Sequence, residues 1–192
     1  MGCLSSSPSF NPFEIQLPDH TSQTYPLVVV PVYLRVGTVY ATIAPGFRSV
    51  MFYRGRGVLE VKRDLGADVA RLDELGIKRL VSTMAAEDIL EDGLGGLLVE
   101  LEGYGIAWTH IPFPSQGSED AYFQGYLEQE MEAVRADVLA GRPVAVHGKG
   151  WDGELGRRMA IMATILDPKL SLEEAGWMTT AAVRLGHCMV PF

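Results

Sequence analysis

Pro143-Val144-Ala145-Val146-His147-Gly148-Lys149-Gly150-Trp151-Asp152-Gly153-Glu154-Leu155-Gly156-Arg157-Arg158 is the stretch on which the fold turns. Its first five residues read as a short strand. Having almost no polar alternation, they suit the centre of a sheet buried on both faces. Gly148 to Gly156 then read as a glycine-rich loop, and Arg157 to Leu166 as a short apolar helix. Strand, glycine loop and helix in that order place free helical N–H groups at the carboxyl end of a strand, where α/β folds hold anions.

Working outward, the same alternation recurs. Leu27-Val28-Val29-Val30 and Val32-Tyr33-Leu34 are β-rich, and Pro31 between them points to an edge strand or a bulge. Val39–Ile43 predicts a second strand. Leu65, Val69, Leu72 and Leu75 recur at helical spacing, with Asp64 as N-cap and Gly76 as C-cap. Further strands are predicted at 77–82 and 106–113, and helices around Leu94–Leu101, from 118 to 139, and after Ser171. That last helix has a capping box of Ser171 and Glu174. The expected fold class is α/β, a central mostly parallel sheet flanked by helices. Residues 1–26, rich in Ser and broken by Pro8, Pro12, Pro18 and Pro26, read as a flexible N-terminal arm. Residues 27–192 read as one domain.

Composition bounds the function. The chain has 192 residues, 47% apolar and 21% charged, enough for a sizeable core and inconsistent with wholesale disorder. A net charge of −8 argues against nucleic acid, whose backbone needs a basic footprint. Two cysteines make neither a disulfide scaffold nor a Cys-rich zinc site. His20, His110, His147 and His187 lack ligand spacing, so no metal and no cofactor are expected. No apolar run nears the ~20 residues that span a bilayer.

Met1-Gly2-Cys3-Leu4-Ser5-Ser6 fits a myristoylation pattern at Gly2, with Cys3 placed for a second acyl chain. One myristoyl chain binds membranes with a constant of only roughly 10⁴ M⁻¹, so stable anchoring takes a second signal. A polybasic patch cannot be that signal, because the first basic residue is Arg35. The expected location is therefore cytoplasmic, peripheral on a membrane if Gly2 and Cys3 are acylated. Cys188 lies five from the end and matches no prenylation box.

Several ordered blocks resemble the dual-specificity branch of the cysteine-dependent protein phosphatases, near its kinase-associated-phosphatase-like members. They are Arg63-Asp64-Leu65-Gly66-Ala67-Asp68-Val69, Gly76–Ser82, Gly105–Pro114, Ala140–His147, Gly153–Arg157 and Leu172–Ala175. The resemblance implies a strand ending in His, followed by a loop H-C-x-x-G-x-x-R. In that loop a low-pKa thiolate attacks phosphorus while amides and the arginine hold the oxygens. It also implies an acid Asp on a neighbouring loop.

This chain departs from that pattern. With His147 as the family histidine, the nucleophile position is Gly148 and the arginine position Glu154. With Arg157 as the family arginine, the nucleophile position is Trp151 and the segment carries about three extra residues. Either register lacks the cysteine, and the acid position after Pro114 is Ser115. Asp152, six residues before Arg158, is formally placed as a carboxylate nucleophile; Glu119 or Asp120 could supply an acid, and Cys188 a thiol. Lys149, Gly150, Gly153, Gly156, Arg157 and Arg158 remain as phosphate-binding candidates, the glycines as an anion nest. Trp108 and Trp177 are expected in or near the core, and Trp151 exposed over the loop.

Three readings stay open. One is a catalytically inactive pseudophosphatase that is membrane-tethered and binds a phosphorylated protein or other phosphate-bearing ligand. The second is an active protein-tyrosine or dual-specificity phosphatase with an unusual loop. The third is an unrelated α/β binding protein.

Overall fold

The computed structural model describes residues 20–53, 57–113 and 121–189. In chain order they form β1 (His20–Thr21), β2 (Val29–Leu34), β3 (Gly37–Ile43), β4 (Arg48–Tyr53), β5 (Gly57–Lys62), α1 (Leu65–Glu74) and β6 (Arg79–Ser82). There follow α2 (Ala86–Glu91), a 3-10 turn (Leu94–Gly96), α3 (Leu97–Gly103), β7 (Ala107–His110), α4 (Ala121–Leu139), β8 (Val144–Gly148), α5 (Gly153–Leu166) and α6 (Leu172–Met189).

The main sheet runs β2-β3-β8-β6-β7. β3, β8, β6 and β7 are parallel, and β2 joins β3 antiparallel at the edge, so the α/β expectation holds. Pro31 sits in that edge strand opposite Tyr40, where its missing N–H costs no ladder bond on the outer side. β8 lies between β3 and β6, and all five of its residues are buried. Period-two alternation sorts its side chains into two layers. Val144 and Val146 join Leu127, Val134, Met159 and Ala182 from α4, α5 and α6 on one face. Ala145 joins Val69, Leu72, Leu97 and Leu101 from α1 and α3 on the other.

Local chemistry sets the element ends. Asp64 accepts the Ala67 N–H and starts α1, while Gly76 adopts a left-handed φ of 74° just past its end. Ser171 and Glu174 form the expected capping box, since Glu174 N–H donates to Ser171 Oγ and Ser171 N–H to Glu174 Oε2.

The structure corrects several sequence expectations. α5 begins at Gly153, four residues earlier than expected, because Asp152 caps it; Gly153 and Gly156 are therefore helical. The apolar stretch around Leu94–Leu101 is broken into α2, the 3-10 turn and α3, with Gly93 at φ 75° before the turn. β4 and β5 form a hairpin that the sequence reading did not include. β1 lies parallel to β5, Ser22 Oγ donates to Asp64 O, and Arg63 Nη1 donates to Tyr25 O. Residues 20–25, counted above with the arm, are thus tied to the domain. Trp177 is 75% exposed on α6 rather than in the core, and Trp151 is half-buried rather than exposed.

Candidate functional site

The carboxyl ends of β7, β6 and β8 stand side by side, with Ser82 in register with both His110 and His147. His147 is fully buried. Its Nδ1 lies 3.2 Å from Gly148 O, which can only accept, so Nδ1 carries the proton. Nε2 therefore accepts from the Ser82 hydroxyl, whose oxygen in turn accepts Trp108 Nε1–H at 2.7 Å. Burial pushes the imidazole down from its usual 6.5 to about 4, so it is neutral at pH 7. His110, stacked on Trp108 with ring centroids 5.4 Å apart, donates from Nε2 to Met84 O. His147 and Ser82 are buried and satisfied, with Trp108 and His110 partly exposed beside them; the layer braces the strand ends and keeps the His147 ring out of contact with solvent.

Gly148 ends β8 and is buried. A Cβ placed there would meet Leu155 Cβ at 3.4 Å and Thr83 Oγ1 at 3.8 Å. The Thr83 hydroxyl donates to His147 O at 2.9 Å. Beyond Gly148 the loop is only four residues long, Lys149 to Asp152, because α5 starts so early.

Each charged group of that loop and of the first turns of α5 has an internal partner. Lys149 Nζ reaches Asp88 at 3.2 Å and Asp92 at 3.3 Å. Burial pulls the ammonium down, but the two carboxylates outweigh it and hold its pKa above the usual lysine value. Asp152 Oδ1 accepts the Leu155 N–H at 2.9 Å. Glu154 Oε2 lies 3.2 Å from Arg157 Nη2 and 3.7 Å from Arg158 Nε. Arg158 Nη1 donates to Thr83 O at 2.8 Å, and the guanidinium stands 5.9 Å above the Phe113 ring.

The remaining candidates scatter. Gly153 opens α5. Gly156 is packed toward α6, donates its N–H to Asp152 O at 3.4 Å and accepts Thr179 Oγ1 through its carbonyl. It is a helix-contact glycine and no part of a loop cradle. Gly150 stays in the loop, half-buried. Trp151 turns its indole onto Gly186 of α6, where any Cβ would overlap the ring. The Trp151 Nε1 is buried without a hydrogen-bond partner. Cys188 is a free, exposed thiol on α6. Gly2, Cys3, Ser115, Glu119 and Asp120 lie outside the described residues. Sequence reasoning passed over Asp88 and Asp92. No local signal marks them, because their pairing with Lys149 closes across about sixty residues of chain.

Among the described residues no three His, Cys, Asp or Glu side chains converge as a metal-ligand set. None of their helices is long and apolar enough to cross a membrane. A groove of about 410 Å³ opens elsewhere, between β2 and α6, lined by Tyr33, Leu34, Arg35, Leu170, Glu174, Trp177 and Met178.

No family model matches the chain, and no curated protein is similar to it in sequence. Solved structures are. The kinase associated phosphatase, with serine in place of its catalytic cysteine, aligns with a TM-score of 0.63 at 18% identity, over 86% of this chain and 93% of that one. Human DUSP28 (TM-score 0.49, 18% identity, 80% of this chain and 81% of that one) and Tk-PTP (0.47, 18%, 83% and 91%) also align. The likeness to the kinase associated phosphatase is one of fold: this chain has the α/β fold of that phosphatase.

Proposed function

We propose that this phosphatase-fold chain is a pseudophosphatase, a protein that acts by binding rather than by hydrolysis. The observation that carries the reading is Gly148. It follows the buried His147 at the end of β8, where the fold's chemistry calls for a thiolate, and it has no side chain at all. The second register gives Trp151, whose indole is likewise no nucleophile and packs against Gly186. An active enzyme working through Asp152 finds less support. That carboxylate is engaged as the α5 cap, and the nearest basic partners on α5 face Glu154.

The ligand we propose is a phosphorylated protein or similar phosphate-bearing group, taken at Lys149, Gly150, Arg157 and Arg158. Phosphate must displace Glu154 from Arg157, an exposed pair worth less than about 1 kcal/mol, which a dianion can match. The chain's own aryl-phosphate turnover, measured beside Asp152→Ala, tests the first part. Hydrolysis that survives purification and disappears in the variant overturns it. Titration with a phosphopeptide and its unphosphorylated twin tests the second. The phospho form should bind more tightly, and more tightly again to Glu154→Gln; equal binding of the two peptides removes phosphate as the ligand.

Tethering through acylated Gly2 and Cys3 is part of the same proposal and rests on the residue pattern alone. Myristate incorporation and membrane fractionation of Gly2→Ala check it; a variant that fractionates like the parent removes the anchor.

A further inference from the structure

α6 buries one side, and on the opposite side it interleaves exposed apolar residues with Glu173, Glu174, Thr180 and Arg184. Ala175, Thr179, Ala182, Val183 and Gly186 are its buried side. Small residues there let α6 lie close against α5. A helix with its apolar side already buried ordinarily turns charged and polar residues outward. Here Trp177, Ala181 and Leu185 follow one another at four-residue steps on the solvent side, with Cys188 alongside, and all four are exposed. Trp177 is 75% and Leu185 57% exposed.

Charge is distributed along this ridge with one sign at each end. Glu173 and Glu174 stand in the first turn, while Arg184 and His187 stand near the end. We propose that the outer ridge of α6 is the docking surface for a second copy of this chain, the two α6 helices pairing antiparallel about a two-fold axis beside Ala181. The same patch then serves both subunits, as a two-fold contact requires. Trp177 of one copy covers Leu185 of the other, and the small Ala181 lets the helices approach at the axis. The acidic start of each helix faces the basic end of its neighbour. Parallel pairing would set Glu173 against Glu173 and Arg184 against Arg184, which like-charge repulsion opposes. An exposed tryptophan near the centre of the contact has the composition of an interface hot spot. One helix face is a small contact, so the dimer is weak and concentration-dependent.

Sedimentation equilibrium of the full chain over a broad concentration range tests the proposal. The parent should show a reversible dimer. Trp177→Ala should weaken it by about tenfold or more, as loss of a hot-spot side chain does. Because Trp177 is mostly exposed, the fold should be unaffected. Glu173→Arg and Arg184→Glu should each weaken the dimer, and the double variant should restore it. Direction is read by cross-linking. Ala181→Cys in a Cys188→Ser background should oxidise to a disulfide dimer. The native Cys188 thiols should not, because antiparallel pairing sets them about 20 Å apart along the axis. A monomer at all concentrations, a dimer indifferent to Trp177→Ala, or ready cross-linking through Cys188 overturns the proposal.

Discussion

The carboxylate of Asp152 accepts the backbone N–H of Leu155 at 2.9 Å, and that bond fixes where α5 begins. It satisfies one of the orphan donors at the helix N-terminus and places a negative charge where the helix dipole favours one. An anion nest would offer such an amide to a ligand; here the chain supplies its own carboxylate. Asp152→Ala should destabilise the fold by about 1 kcal/mol, whereas Asp152→Asn, an equally good cap, should cost little. Urea denaturation of the three proteins checks this. Equal stability of the Ala and Asn variants would show that the cap contributes nothing.

Restoring the missing thiol should not restore chemistry. A Cβ on Gly148 meets its neighbours at 3.4 Å and beyond, which is ordinary van der Waals contact. Gly148→Cys should therefore fold. Its sulfur would still face a loop in which Glu154 holds Arg157 and Thr83 O holds Arg158. Low-pKa thiolates need cationic or helix-terminal stabilisation, and the helix start is already taken by Asp152. Aryl-phosphate turnover by Gly148→Cys should stay at the buffer rate; a clear catalytic burst would mean that only the nucleophile had been lost.

Arg63 and Asp68 make a two-point ion pair in which both side chains are buried. Asp68 Oδ2 also takes the N–H of Gly46, whose left-handed φ of 72° turns the chain after β3. Removing the carboxylate leaves a buried guanidinium without its counter-ion, holding only Tyr25 O, and a buried amide unpaired. Asp68→Ala should lose about 3–5 kcal/mol, while an apolar replacement of both partners at matched volume should lose much less. A double-mutant cycle by chemical denaturation measures the difference, and additive single losses would contradict the pairing.

Most of the fold was legible in the sequence, and most of the site was not. The β8 segment announced a sheet centre because Pro143–Val146 carries no polar alternation, and two buried faces are what it has. Asp64, Gly76, Ser171 and Glu174 mark helix ends through bonds within three or four residues, so their chemistry is visible locally. The β4–β5 hairpin was missed because no tight-turn signature of the Asn-Gly kind joins its strands. Gly153 and Gly156 looked like loop residues because glycine is a poor helix former. The cap at Asp152 and the contact of Gly156 with α6 override that propensity. The loop's real partners, Asp88 and Asp92 for Lys149 and Gly186 for Trp151, come from distant elements, and no spacing rule reaches them.

His147 should make the protein acid-sensitive before its carboxylates titrate. Burial lowers its pKa from the usual 6.5 to about 4, so the unfolded chain takes up a proton that the folded chain refuses. Where the unfolded state binds more protons, stability falls as pH falls. The contribution is intact above pH 6.5 and is lost progressively toward pH 4, by about 2 kcal/mol between pH 7 and pH 5. His147→Gln cannot titrate in that window. It will itself be less stable, since it disturbs the hydrogen bond with Ser82, but its stability should vary less with pH by that amount. Denaturant titrations of both proteins at pH 7, 6 and 5 read the slopes directly. Equal slopes would mean that His147 is charged inside the folded protein, and the buried pair of His147 and Ser82 would then have to open to water to hold it.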